Sequence, residues 1–266
     1  MPIFGFIGTG NMGSILARAV CHNLPGNQVF LANRTPEKAR LLAEELNCQA
    51  TDNHTVAECA DFIFLGVKPQ AMAEMLSDIS PILKKRGNGF ILVSMATGLT
   101  ISRIQEMAGE KYPVIRIMPN TPSDVGAGMI LYACDESITK TEKNTFLDIM
   151  AGVGRLSVLP ERLIDVGSVV IGSSVAFAAL FLEAVADGAV ACGMPRTYAL
   201  EFAAQMLAGT GKLALEQRNH PGILKDVCCS PGGATIQGIR ALERGSFRGT
   251  VIEAVIASYE RTVELK

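Results

Sequence analysis

The hydrophobic pattern changes period part-way along the chain. Before about residue 158, short apolar runs of strand length alternate with stretches of helical spacing. The runs fall at residues 3–7, 28–32, 48–50, 62–67, 90–94 and 114–118, and helical patterns occupy 14–23, 36–46 and 70–83. Strands that are apolar throughout, separated by helices, predict a parallel sheet covered on both faces. After Pro160 the strand patterns stop. Residues 161–191, 196–217, 235–245 and 250–265 have helical spacing, punctuated by Gly193-Met194-Pro195, His220-Pro221-Gly222, Ser230-Pro231-Gly232-Gly233 and Gly245. Gly and Pro at such places end one helix and start the next. The pattern predicts an α/β domain over residues 1–158 and an all-helical domain over residues 159–266.

Composition adds boundaries to this picture. A chain of 266 residues can bury a substantial core in either arrangement. A net charge of −2 gives no reason to expect nucleic acid as a partner. The N-terminal Met1-Pro2-Ile3-Phe4-Gly5 has no basic region and enters a strand pattern at once, unlike a signal peptide. Seven cysteines are scattered without metal-binding spacing, which predicts free thiols in a reducing, cytoplasmic compartment and no metal site. Residues 166–182 carry no charge but include Gly167, Ser168, Gly172, Ser173 and Ser174. The run is short and polar for a bilayer span of roughly 20 apolar residues. It predicts instead a helix buried on all sides at a domain or subunit interface, with no membrane partner.

Candidate chemistry begins at the first strand. Phe4-Gly5-Phe6-Ile7-Gly8-Thr9-Gly10-Asn11-Met12-Gly13 is a strand, a G-x-G-x-x-G turn and a helix start. Gly8 permits the tight turn, Gly10 lets backbone approach a pyrophosphate, and Gly13 permits close helix–strand packing, as in a Rossmann-type dinucleotide domain. The second strand ends Leu31-Ala32-Asn33-Arg34-Thr35, with a guanidinium where an NAD enzyme usually carries an acid. Arg34 can pair with a 2′-phosphate, and Asn33 and Thr35 can donate hydrogen bonds to it, which favours NADPH and leaves NADH possible. Glu37 lies close by, in an ordinary place for a helix-initiating acid. Two later strand ends, Gly66-Val67-Lys68-Pro69 and Met95-Ala96-Thr97, are expected at the same crevice. Lys68 reads as a catalytic acid, a cofactor contact or a solvated charge. In Arg116-Ile117-Met118-Pro119-Asn120-Thr121-Pro122 two prolines fix the Asn120 amide, either for nicotinamide or substrate or as a rigid turn.

A second anion site is expected far along the chain. Ser230-Pro231-Gly232-Gly233-Ala234-Thr235 runs into an amphipathic helix, so a tight turn presents backbone N–H groups together with two hydroxyls. A helix N-terminus of that kind suits a small anion.

Together with the glycine loop, Val67-Lys68-Pro69-Gln70, the 116–122 turn, and His220-Pro221-Gly222 followed by Leu224-Lys225-Asp226, this stretch resembles the pyrroline-5-carboxylate reductase family over essentially the whole chain. The resemblance implies an N-terminal Rossmann-type parallel sheet domain followed by a helical dimerisation domain. It implies NAD(P)H-dependent reduction of L-1-pyrroline-5-carboxylate to L-proline, the last step of proline biosynthesis, by a homodimer assembled into a higher homo-oligomer. Family cofactor contacts fall on Phe6, Ile7, Gly8, Thr9, Gly10, Asn11 and Met12, on Asn33, Arg34 and Thr35, on Asn53, on Gly66, Val67, Lys68 and Pro69, and on Met95, Ala96 and Thr97. The substrate carboxylate falls on Ser230, Gly232, Gly233, Ala234 and Thr235, with Thr235 near the imine nitrogen. Two segments depart: where the family carries Ser-Gly-Ser-Gly-Pro-Ala, this chain reads Ile171-Gly172-Ser173-Ser174-Val175-Ala176, and the preceding Asp-Ala-Val-Thr-type segment reads Asp165-Val166-Gly167-Ser168. A reductase for a related piperideine-type imine and a non-enzymatic NADP-binding sensor are the alternatives. A β-hydroxyacid dehydrogenase would need a lysine early in the interdomain helix, and residues 164–182 contain none.

Overall fold

The computed structural model describes residues 1–264. Its first part is β1 (Phe4–Ile7), α1 (Asn11–Asn23), β2 (Val29–Ala32), α2 (Pro36–Leu46), β3 (Gln49–Thr51), α3 (Asn53–Cys59), β4 (Phe62–Leu65), α4 (Pro69–Arg86), β5 (Ile91–Ser94), α5 (Ile101–Ala108) and β6 (Val114–Met118). These strands lie in the order β3-β2-β1-β4-β5-β6, all parallel. That is the doubly wound dinucleotide order, which reverses beside β1. The inner strands β1, β4 and β5 are short and buried throughout because helices cover both faces of the sheet, whereas the edge strand β3 is polar and mostly exposed.

Three further elements were not expected. β7 (Gly128–Cys134) pairs antiparallel with β6, α6 (Lys140–Met150) follows, and β8 (Gly154–Val158) returns parallel to β7, making eight strands. A full capping box starts α6: Thr139 accepts from the Glu142 N–H while Glu142 accepts from the Thr139 N–H. Phe146 of α6 then closes an aromatic stack in which Phe4 lies 4.7 Å from Phe62 and Phe6 lies 4.4 Å from Phe64. The opposite face is filled by aliphatic residues such as Val56, Ile63, Leu76, Ile79 and Leu92.

Two polar devices bind the following segment to this sheet. Arg116 of β6 is only 1% exposed and pairs with Asp165 at 2.5 Å and Glu161 at 3.5 Å. The buried Asn120 amide donates to the Ile171 carbonyl at 2.8 Å and accepts from the Met129 N–H at 2.9 Å. Of the two readings of Asn120, these bonds accord with the rigid turn. Both ends of its side chain are occupied by backbone, which makes it part of the rigid turn.

The expected single helix over 161–191 is helical but not uniform. It comprises a 3₁₀ turn (Glu161–Leu163), α7 (Ile164–Ser168), a π-helical turn (Val169–Ser173) and α8 (Ser174–Ala191). The remaining elements are α9 (Arg196–Gln217), α10 (Pro221–Val227), α11 (Ala234–Arg244) and α12 (Phe247–Glu264). α10 was not expected, and α12 starts earlier than residue 250. The expected end of that helix at Leu265 lies outside the described residues.

By compactness the chain divides into a unit of Met1–Gly172, joined by the chain from Tyr259 onward, and a unit of Ser173–Ser258. The second unit buries little of its own. Its cluster centres on Ala186, Ala199 and Ala203, with Leu182, Ala189 and Val190 packed against it. The expectation that residues 166–182 are buried on all sides is therefore corrected for the single chain. Val170 and Leu180 are exposed, and Ala186 alone is classed as buried in α8. Glu161–Ala191 is long and apolar enough to cross a membrane by length and composition alone, with an 18-residue stretch of mean hydropathy 2.1.

Candidate active site

The glycine loop is built by three close backbone contacts. Gly8 has φ +104°, and a Cβ there would lie 2.6 Å from the Gly66 carbonyl oxygen. A Cβ on Gly66 would in turn meet the Gly8 oxygen at 2.3 Å, and one on Gly13 would meet it at 2.2 Å. Only glycine fits at this crossing of the β1 and β4 ends with α1. Gly10 is different: a Cβ there would meet nothing within 4 Å. Its bare backbone faces open space, and it caps α1 without any side-chain hydrogen bond. α1 begins at Asn11 rather than the expected residue 14, so Asn11 and Met12 belong to its uncapped first turn. These free N–H groups fit a pyrophosphate.

The cleft beside the loop has a volume of about 550 Å³ and is lined by Ile7, Gly8, Arg34, Asn53, Val67, Ala71, Glu74, Met75, Ser77 and Asp78. Arg34 is exposed to it just beyond β2. Glu37 does not compete for that role. It pairs with Arg40 at 2.5 Å, and the hydrogen bond from Arg40 holds its carboxyl below the usual range. Asn53 is placed by Asp52, the N-cap of α3, whose carboxylate accepts from the Thr55 N–H at 2.8 Å. That bond lowers the Asp52 pKa. The α4 residues on the wall were not foreseen. Positions 71, 74, 75 and 78 recur at helical spacing on one face after Pro69, and that spacing was the available signal.

The remaining cofactor candidates sit at strand ends. Phe6 has its side chain in the core and offers only backbone. Thr9 is buried and accepts from the Asn33 amide at 2.8 Å, while the Thr35 N–H donates to Asn33 at 3.0 Å. Lys68 is exposed at the N-cap of α4, with Pro69 as first helical residue. Met95 packs on the core, Ala96 is buried, and Thr97 is exposed with its hydroxyl 4.0 Å from the Met118 sulfur.

The 230–235 turn lies in the second unit. Gly232 has φ +71° with free space around its missing Cβ, whereas a Cβ on Gly233 would lie 2.3 Å from the Ser230 hydroxyl. Gly233 caps α11 without a side-chain hydrogen bond, so Ala234, Thr235 and Ile236 open the helix with unspent N–H groups. Ser230, Ala234 and Thr235 are exposed. Such a turn takes a carboxylate through backbone donors alone.

A doubly wound sheet with this loop and cleft defines a nucleotide-binding oxidoreductase. A family model described as NADP oxidoreductase coenzyme F420-dependent matches residues 3–98, and one described as pyrroline-5-carboxylate reductase dimerisation matches residues 161–265. The chain is 40% identical over 265 residues to the pyrroline-5-carboxylate reductase of Escherichia coli strain K12, covering 98% of this chain and 97% of that one. The solved structure of a pyrroline-5-carboxylate reductase from Coxiella burnetii superposes with a TM-score of 0.89 at 30% identity, covering 100% of this chain and 98% of the other. That of the Plasmodium falciparum pyrroline carboxylate reductase with NADP bound gives 0.88 at 28%, covering 99% and 97%. The chain belongs to the pyrroline-5-carboxylate reductase family, and its residues 161–265 match the family's dimerisation domain.

Proposed function

We propose that the protein reduces L-1-pyrroline-5-carboxylate to L-proline with NADPH. The observation that carries this reading is the pairing, in one chain, of the Gly8–Gly10 loop and Arg34 cleft with an uncapped carboxylate turn at α11. Full-length similarity to reductases of that name supports it.

The roles follow from the groups present. N–H groups at the start of α1 hold the pyrophosphate, and Arg34 pairs with the 2′-phosphate. N–H groups of the first turn of α11 hold the substrate carboxylate, and the Thr235 hydroxyl hydrogen-bonds the ring nitrogen and orients it. Bound NADPH supplies a hydride to the C=N carbon of the protonated imine, giving the secondary amine of proline. The protonated imine is already electrophilic, so the protein's contribution is to position two reactants and exclude alternatives.

The working form is a homodimer with further assembly. The exposed apolar residues of the dimerisation domain, among them Leu180, Phe202 and Ile252, support this. Seven free cysteines accord with a cytoplasmic location. The deciding assay follows NADPH oxidation with pyrroline-5-carboxylate and, separately, with piperideine carboxylates. Turnover of the five-membered imine is expected. Preference for the six-membered ring would move the assignment to a related reductase, and oxidation with neither would leave an NADP-binding sensor.

A further inference from the structure

The two anion contacts of the cofactor cleft are joined by one side chain. Asn33 donates through Nδ2 to the Thr9 hydroxyl at 2.8 Å and accepts through Oδ1 from the Thr35 N–H at 3.0 Å. Thr9 stands between the two loop glycines and is buried, and Thr35 follows Arg34 directly. The Gly8 N–H also donates to the Ala32 carbonyl at 2.8 Å, which draws the same two segments together. The amide orientation is dictated: only Oδ1 can meet the Thr35 N–H, so Nδ2 must face Thr9. One Nδ2–H and one side of Oδ1 are engaged in the bridge, so at most a single N–H of Asn33 is left for a phosphate.

We propose that Asn33 is a positioning residue that fixes the glycine loop and the Arg34 turn as a single anion-binding unit, acting on the cofactor through Thr9 and Thr35. This rests on the reading of the cleft as a nicotinamide dinucleotide site. Loss of the bridge loosens the pyrophosphate loop, which NADPH and NADH share. A direct phosphate contact would instead matter to NADPH alone.

The test uses the full-length protein and measures dissociation constants for NADPH and NADH by reduced-nicotinamide fluorescence. The variants are Thr9→Val, Asn33→Ala, the double variant and Asn33→Asp, each checked by thermal unfolding without nucleotide. Asn33→Ala is expected to weaken both cofactors by a similar factor, about fivefold to tenfold for one lost neutral hydrogen bond pair. The double variant is expected to be no weaker than Asn33→Ala, because the two changes remove one interaction. Asn33→Asp keeps an acceptor for the Thr35 N–H and lets the Thr9 hydroxyl donate, so NADH binding recovers while NADPH stays weak beside the added charge. A loss confined to NADPH in Asn33→Ala, or independent addition of the Thr9 and Asn33 effects, would overturn the proposal. If Asn33→Ala unfolds, Thr9→Val and Asn33→Asp decide between the same outcomes. Binding of neither cofactor to the unaltered protein would overturn the cleft reading itself, and the proposal with it.

Discussion

At the scale of single residues, cofactor choice and catalysis separate into different tests. Arg34 is exposed in the cleft, whereas Glu37, the acid that follows it three residues on, is held by Arg40. Arg34→Asp is expected to raise the KM for NADPH on the order of 10- to 100-fold, the worth of a charge-assisted phosphate contact, with far less change for NADH. Steady-state kinetics with both cofactors check this. Thr235→Ala is expected to lower kcat/KM for the imine about tenfold with NADPH binding unchanged, because the role proposed for its hydroxyl is to orient the imine and not to hold the cofactor. An unchanged kcat/KM would remove Thr235 from the reaction.

At the scale of elements, the N-cap of α3 ties a site residue to pH. Asp52 caps the helix that begins with Asn53, and its pKa is lowered by the Thr55 N–H. A carboxylate with a depressed folded-state pKa stabilises above its unfolded value, and the contribution is lost as pH falls through the folded value. Asn offers the same capping oxygen but no negative charge beside the helix N-terminus. Asp52→Asn should therefore lower stability slightly at neutral pH, with the difference vanishing in acid below the usual aspartate range. Urea unfolding at several pH values reads both. The same scale shows what the sequence made legible. Strands β1, β2, β4, β5 and β6 were readable as short apolar runs and the glycine loop because strand, turn and helix adjoin, whereas α3 and α5, at seven and eight residues, were too short to show a period. β7 was missed although residues 129–134 are apolar, since periodicity alone does not separate a buried strand from a buried helix segment. The role of the Asn120 side chain stayed open for a different reason. An amide between two prolines can bond a ligand or backbone, and only the positions of Ile171 and Met129, which are set by tertiary packing, decide which.

At the scale of the whole molecule, the two units are stabilised differently. The sheet unit fills both its faces with large side chains, whereas the helical unit centres its own cluster on three alanines and leaves Leu180, at 66%, and Ile252, at 57%, exposed. Whether an apolar helix face is covered by its own chain or by a second copy is not encoded in its period, which is why 166–182 was read as buried. Leu180→Glu is expected to weaken dimerisation by roughly 100-fold if it sits at the centre of the interface, with NADPH binding retained. Sedimentation against concentration measures the first and nucleotide fluorescence the second. The small alanine cluster also has a kinetic consequence. Helices that bury so little alone consolidate only when two chains meet, whereas the sheet unit can complete its core unaided. After dilution from denaturant, nucleotide binding should return at a rate independent of protein concentration. Imine reduction should return more slowly, as a second-order process that quickens as the chains become more concentrated.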